Sequence, residues 1–277
     1  MSPEELKGWL RHDGNVAGLL PSNVIIEGHL NSGGQGIVFR GKVNGEPAAI
    51  KVYFPGVVEK RIEREVKALR TLRCRTIVSL LWSDYITVDG TSLPVVATSL
   101  LEGQSLDQTL MNRPLTLNEI SVLAFDCTLA IEEMWKTRIV HRDLKPSNII
   151  IHLNGRASVI DLGIARHIDQ SCLTSLGTTW GTRGYMSPEQ MKCIQQLTCK
   201  SDLFALGIVL IEASLQRHPS GRDQAKLVDL QLHDRLPSPI SGWEHVDLLR
   251  ALLDPHPTKR PPPPVILQLL INHALKE

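Results

Sequence analysis

The chain has 277 residues, enough for about two domains, and its 42% apolar and 21% charged side chains permit a real buried core and exclude disordered and collagen-like chains. Thirty basic residues against twenty-nine acidic ones leave a formal net charge of +1, so no overall electrostatic footprint argues for nucleic acid as a partner. Five scattered cysteines, Cys74, Cys127, Cys172, Cys193 and Cys199, form no C-x-x-C pair, which argues against a disulfide framework and a zinc site.

Ser2 followed by Pro3 and Glu5 reads as a helix start, with a hydroxyl cap, proline at the first helical position and an acid placed for a capping box. Leu6, Trp9 and Leu10 then share one face. Residues 1–22 are expected to form a helical extension that either docks on the neighbouring domain or anchors a partner. The start of the chain lacks the basic and apolar regions of a signal peptide. The most apolar stretch, residues 203–215, contains Glu212 and is shorter than the roughly 20 residues a membrane span needs. The expectation is a cytoplasmic protein without a membrane span.

From residue 23 to 52 short β-rich runs alternate with Gly-rich or Asn-Gly turns, including Asn44-Gly45, the pattern of an antiparallel meander. Residues 57–72 carry Val58, Ile62, Val66 and Leu69 at helical spacing, with Lys60, Arg64 and Lys67 on another face. Two further strands, residues 80–88 and 93–99, are joined by Asp89-Gly90, a hairpin signal. Beyond Gly103 the periodicity is helical, most clearly over residues 121–137, 200–215 and 265–275. Pro261 to Pro264 form a stiff connector before the last helix. The expected fold is α+β with two lobes: a β-rich N-lobe with one helix over about residues 23–101 and a helical C-lobe over about 104–277, both within one domain, 23–277.

Between the first two strands Gly33, Gly34 and Gly36 would let backbone N–H groups close over phosphate oxygens. Lys51 lies in an apolar strand, where an ammonium is costly unless an anion and a carboxylate meet it; Glu65, on the helix face beside Leu69, is the candidate carboxylate. The stretch from Val140 to Ile151 packs Asp143, Lys145 and Asn148 into one short loop, a proton acceptor, a cation and an oxygen ligand around one point. Asp161 follows the next apolar strand and offers a second oxygen ligand for a hard cation such as Mg²⁺.

In this order the motifs resemble the eukaryotic-type, or Hanks-type, protein kinase family from about Ile25 to Ala274. The carriers are the Gly-rich loop, Lys51, Glu65, His141-Arg142-Asp143 with Asn148, Asp161-Leu162-Gly163 and Ser187-Pro188-Glu189. Ser201-Asp202 through Gly207 resembles the family's central C-lobe helix, and Pro188-Glu189-Gln190 its bacterial serine/threonine branch. The resemblance implies transfer of the ATP γ-phosphoryl group to Ser or Thr of a protein, and autophosphorylation. In that scheme Asp143 accepts the hydroxyl proton, Lys145 neutralises the transferring group, Lys51 held by Glu65 contacts phosphates, and Asn148 and Asp161 hold Mg²⁺ or Mn²⁺.

The resemblance further implies that Asn31, Gly33, Gly34, Gly36, Val38 and Ala49 border the nucleotide, that Thr98 is the gatekeeper, and that Ser99 to Leu101 present backbone groups to adenine. Arg142 would receive a phosphate on Thr174, Thr178 or Thr179 together with Arg166 and Lys67, Thr182 would bridge Asp143 and Lys145, and Glu189 would pair with Arg260 as a buried bidentate couple. Asn31 departs from the family's first loop glycine, Leu162 from its Phe, Phe204 from its Trp, and Cys74-Arg75-Thr76 from its His-Pro-Asn. Two competing readings are a pseudokinase and a small-molecule kinase of the same fold. The complete set of charged residues weighs against the first, and Thr182 with the Ser-Pro-Glu segment against the second. The oligomeric state is left open.

Overall fold

The computed structural model describes residues 3–162, 184–192, 194, 196–232 and 242–274. The chain forms two compact units, Met1–Thr71 with Val78–Leu101, and Leu72–Ile77 with Glu102–Glu277.

The first unit is the expected β-rich lobe. Two short helices, α1 (Pro3–Leu10) and α2 (Asp13–Ala17), precede β1 (Val24–Gly33), β2 (Gly36–Val43), β3 (Glu46–Tyr53), helix α3 (Glu59–Thr71), β4 (Leu80–Val88) and β5 (Thr91–Ser99). The five strands form one antiparallel sheet in the order β1-β2-β3-β5-β4. Both hairpin turns read from the sequence occur: Asn44 and Gly45 have φ of 52° and 84°, Asp89 and Gly90 of 48° and 75°, the positive values that primed turns require.

Strand alternation divides β3 between two faces. Ala48, Ile50 and Val52 enter the main apolar core with Phe39, Val95 and Ala97, while Tyr53 joins Ile62 of α3 and Val96 in a second cluster. Leu6, Leu10 and Val16 of the N-terminal helices are buried in the main core, so of the two readings of this segment the docked one describes its contacts. Helix α3 begins after Val58, which is exposed rather than part of the buried face.

The second unit is helical with a small sheet. It comprises β6 (Gly103–Ser105), α4 (Leu106–Asn112), α5 (Leu117–Lys136), β7 (Ile149–His152), β8 (Ala157–Val159), α6 (Pro188–Met191), α7 (Cys199–Leu215), α8 (Gln224–Leu232), α9 (Val246–Leu252) and α10 (Pro263–Ala274). Helix α5 starts earlier than its periodicity suggests because Thr116 and Glu119 close a capping box around its first turn. Helix α7 packs against α5 and α9 and buries residues 201–213 without a break, as a helix apolar on every side does when it forms the centre of a core. Asp202 and Glu212 are buried with it and must therefore be met by donors. Among the described residues no helix is long and apolar enough to cross a membrane.

Candidate active site

In the first unit Asn31 pairs with Val38 and Gly33 with Gly36 across the β1-β2 hairpin. None of Gly33, Gly34 and Gly36 has a positive φ, and neither does Asn31, so a left-handed backbone is not what selects these residues. A Cβ on Gly33 or Gly34 would meet nothing within 4 Å, but one on Gly36 would lie 2.3 Å from the Val52 carbonyl oxygen. The glycine at position 36 is thus demanded by the close approach of β3, a packing reason that the phosphate-loop reading did not supply.

Ala49 lies between Arg40 and Thr98, and Lys51 between Val38 and Val96, in the centre of the sheet. Glu65 is 7% exposed on α3 and accepts a 3.0 Å hydrogen bond from the Tyr53 hydroxyl. Lys51 Nζ sits 4.8 Å from the centroid of the same Tyr53 ring. Where β5 ends, the Ser99 N–H donates to the Ser79 carbonyl and the Leu100 N–H to that of Pro47.

In the second unit the loop after α5 is tied down by its own backbone. The amides of His141 and Arg142 donate to the two oxygens of Asp202, each at 2.8 Å, and Gln190 Nε2 donates to the Arg142 carbonyl at 3.0 Å. Burial raises the Asp202 carboxyl above its usual range, and His141 and the two amides oppose that shift. The His141 ring accepts from the Asp143 amide at Nδ1 and lies 3.3 Å from the Ile160 carbonyl at Nε2. Arg142 takes a left-handed φ of 69° and Asp161 one of 57°, values uncommon for side chains with a Cβ and concentrated where a site over-determines the backbone.

Around this loop the sequence-assigned residues converge. Lys145 Nζ lies 3.0 Å from Asp143 Oδ2, with the Asp143 side chain 1% exposed. Asn148 Nδ2 donates to the Asp143 carbonyl at 2.9 Å and to its Oδ2 at 3.3 Å. The Asn148 carbonyl accepts from the Ile160 amide, one residue before Asp161, and Leu162 is buried at 2% exposure, an apolar slot filled without Phe. Lys145, Pro146 and Ser147 line a cavity of about 130 Å³ with Asp107, Tyr185 and Arg222. The expected regulatory positions Thr174, Thr178, Thr179 and Thr182, with Gly163 and Arg166, lie outside the described residues.

Several residues at the site had no task in the sequence reading. Gln224 bridges residues 184–186 by accepting from the Gly184 amide at 2.7 Å and donating to the Met186 carbonyl at 3.1 Å. His218 packs edge-on against Tyr185 and hydrogen-bonds the Gly184 carbonyl at 3.1 Å, while its Nδ1 accepts from the amides of Ser220 and Arg222. Burial lowers the His218 pKa to about 4. Tyr185 itself donates to Glu212 on α7. These partners are brought in from distant sequence, and no local motif announces them.

Residues 25–272 match the protein kinase domain family. The chain is 33% identical over 255 residues to the probable serine/threonine-protein kinase PkwA of Thermomonospora curvata, covering 88% of this chain and 33% of that one. It is 32% identical to the serine/threonine-protein kinase AfsK of Streptomyces coelicolor over 69% of this chain and 24% of that one. Identity to the probable serine/threonine-protein kinase PknB of Lactococcus lactis is 31%, over 65% and 28% of the two chains. The chain therefore spans a third or less of the length of these relatives. With its motifs in family order and a match over most of its length, the chain belongs to the Hanks-type protein kinase family.

Proposed function

We propose that the chain is a serine/threonine protein kinase that transfers the γ-phosphoryl group of ATP to protein hydroxyls. The observation that carries this reading is the buried Asp143 carboxylate, gripped by Lys145 and Asn148 on a loop whose backbone is fixed by Asp202. Asp143 accepts the proton of the attacking Ser or Thr hydroxyl. Lys145, already against Asp143 Oδ2, holds that carboxylate in one orientation and places a positive charge beside the transferring group. Lys51 contacts the α- and β-phosphates with Glu65 as its support.

The chemistry of the donor set fits a divalent cation. Asn148 commits its amide nitrogen to Asp143, so its oxygen is the end that can face a metal, and Asp161 adds a carboxylate; hard oxygens of this kind suit Mg²⁺ or Mn²⁺. When bound, that cation would neutralise charge on the phosphate oxygens. On the nucleotide side, Asn31, Gly33, Gly34, Val38 and Ala49 border the base and phosphates, and Thr98 is the gatekeeper. The amides of Ser99 and Leu100 are used within the protein, which leaves the role of backbone donor to adenine with Leu101. Arg142, presented by a rigid loop, receives a phosphate from the segment holding Thr174, Thr178 and Thr179. Residues 23–277 act as the kinase domain, with 1–22 as its extension.

Incubation with labelled ATP and Mg²⁺, followed by mapping of modified residues, tests the assignment. The expected result is phosphate on Ser and Thr, lost in Lys51→Ala and Asp161→Ala. Incorporation at wild-type level in either variant would overturn the mechanism.

A further inference from the structure

Tyr53 stands two residues beyond Lys51 on β3, and the period of a strand puts both side chains on the same face. At 1% exposure the phenol lies in the cluster of Ile62 and Val96, where a hydroxyl without a partner would be costly. It donates instead to Glu65 Oε2 at 3.0 Å. The face of its ring meets Lys51 Nζ at 4.8 Å from the centroid, within the range of a cation–π attraction. One side chain therefore touches both the cation assigned to the phosphates and the carboxylate assigned to support it.

We propose that Tyr53 is a positioning residue for ATP: its hydroxyl fixes the orientation of the Glu65 carboxylate, and its ring confines the ammonium of Lys51. The inference rests on the reading that Lys51 contacts the phosphates. A residue that only filled the space between β3 and α3 could as well be Phe, because the apolar contacts with Ile62 and Val96 need no hydroxyl. What a Phe cannot supply is the bond to Glu65, and a Leu at the same place would lack the ring beneath Lys51 as well.

The test compares Tyr53→Phe, Tyr53→Leu and Lys51→Ala with the wild type in steady-state kinetics, in binding of a fluorescent ATP analogue, and in urea unfolding. Tyr53→Phe is expected to raise the KM for ATP and weaken analogue binding on the order of tenfold, the scale of one hydrogen bond to a charged group. The KM for a peptide substrate should stay unchanged. Tyr53→Leu should lose more on the ATP side. A merely structural role would show as a smaller active fraction, lower kcat with both KM values intact, and that result in Tyr53→Phe would overturn the proposal. So would wild-type ATP affinity in both Tyr53 variants while Lys51→Ala is impaired. If Lys51→Ala itself binds and turns over ATP normally, the reading of the site falls and takes the inference with it.

Discussion

Arg260 grips Glu189 through two parallel bonds, Nη1 to Oε1 at 2.7 Å and Nη2 to Oε2 at 3.0 Å, and the two side chains are 0% and 6% exposed. The couple is the bidentate pair that the family resemblance implies. It is also fully dressed: Ser201 donates to Glu189 Oε1 at 2.8 Å, and Arg260 donates to the carbonyls of Lys200 and Asp254. Such satisfaction is what makes a buried ion pair tolerable, since both charges have left water. The pair joins α6, the start of α7 and the turn before α10, and so fixes the base of the segment that carries Tyr185 and Met186.

Removing one partner strands the other. Glu189→Gln or Arg260→Lys is expected to cost ~3–5 kcal/mol in urea unfolding, whereas the double change Glu189→Leu with Arg260→Met should recover most of that loss. Burial pushes the Glu189 carboxyl up, but the bonds from Arg260 and Ser201 outweigh it and the net displacement is downward from 4.5. A carboxyl lowered in the folded state contributes stability above its unfolded value and loses it as pH falls through the folded one. Wild type should therefore lose stability below about pH 4.5 more steeply than Glu189→Gln, measured as urea midpoints across that range.

Asp143→Asn should lower kcat by a factor on the order of 10² to 10⁴, the usual contribution of a general base. Affinity for ATP should change little. The bonds from Lys145 and Asn148 are lost only in part in this variant, so circular dichroism and urea midpoints near wild type are expected alongside the kinetic loss. A fall in ATP affinity without a fall in kcat would remove Asp143 from the role of base.

Asp202 is the mechanical support of the catalytic loop. Asp202→Ala leaves the His141 and Arg142 amides without their acceptor, at roughly 1–3 kcal/mol for each stranded donor. Hydrogen exchange at those two amides should accelerate well beyond that of the remaining α7 core. Protection equal to wild type would show that another group fixes the loop.

The half-buried His218 is expected to make the stability of the fold depend on pH. Its pKa is lowered to about 4 by burial, with the Gly184 carbonyl opposing that shift. A histidine depressed in the folded state contributes stability above its unfolded value near 6.5, and that contribution disappears as pH falls toward 4. His218→Gln should flatten this part of the stability profile, read as urea midpoints across that pH range. Gly184→Ala should act in the same direction, because φ at Gly184 is 94° and a Cβ there would lie 2.6 Å from the His218 ring.

Local chemistry made much of this architecture legible. Asn44-Gly45 and Asp89-Gly90 announced their turns because few other residues accept positive φ at both positions, and the apolar period of α3 and the apolar run of α7 placed those helices to within a few residues. The short elements were harder. Helices α4 and α9 and the three-stranded sheet β6-β7-β8 are too brief for periodicity to stand out, although Ser105 and Gln108 form a capping box at α4. Asp143, Lys145 and Asn148 were readable because they fall within six consecutive residues of one loop. Tyr53, Gln224 and His218 were not, since each acquires its task from a partner on another element, and an isolated Tyr, Gln or His carries no sign of that partner.

The burial of Leu6, Leu10 and Val16 bears on how the protein is made. Helices α1 and α2 have eight and five residues, shorter than the ~12–15 at which an isolated helix holds together in water. The walls that cover them, Phe39, Val52 and Val95, follow them in the chain, so the segment cannot settle until β5 has been synthesised. Nascent chains arrested before residue 91 should thus be cleaved readily by protease near Leu10, and chains arrested well past the N-lobe should resist. Helices α1 and α2 thus depend for their structure on strands that the chain supplies only later.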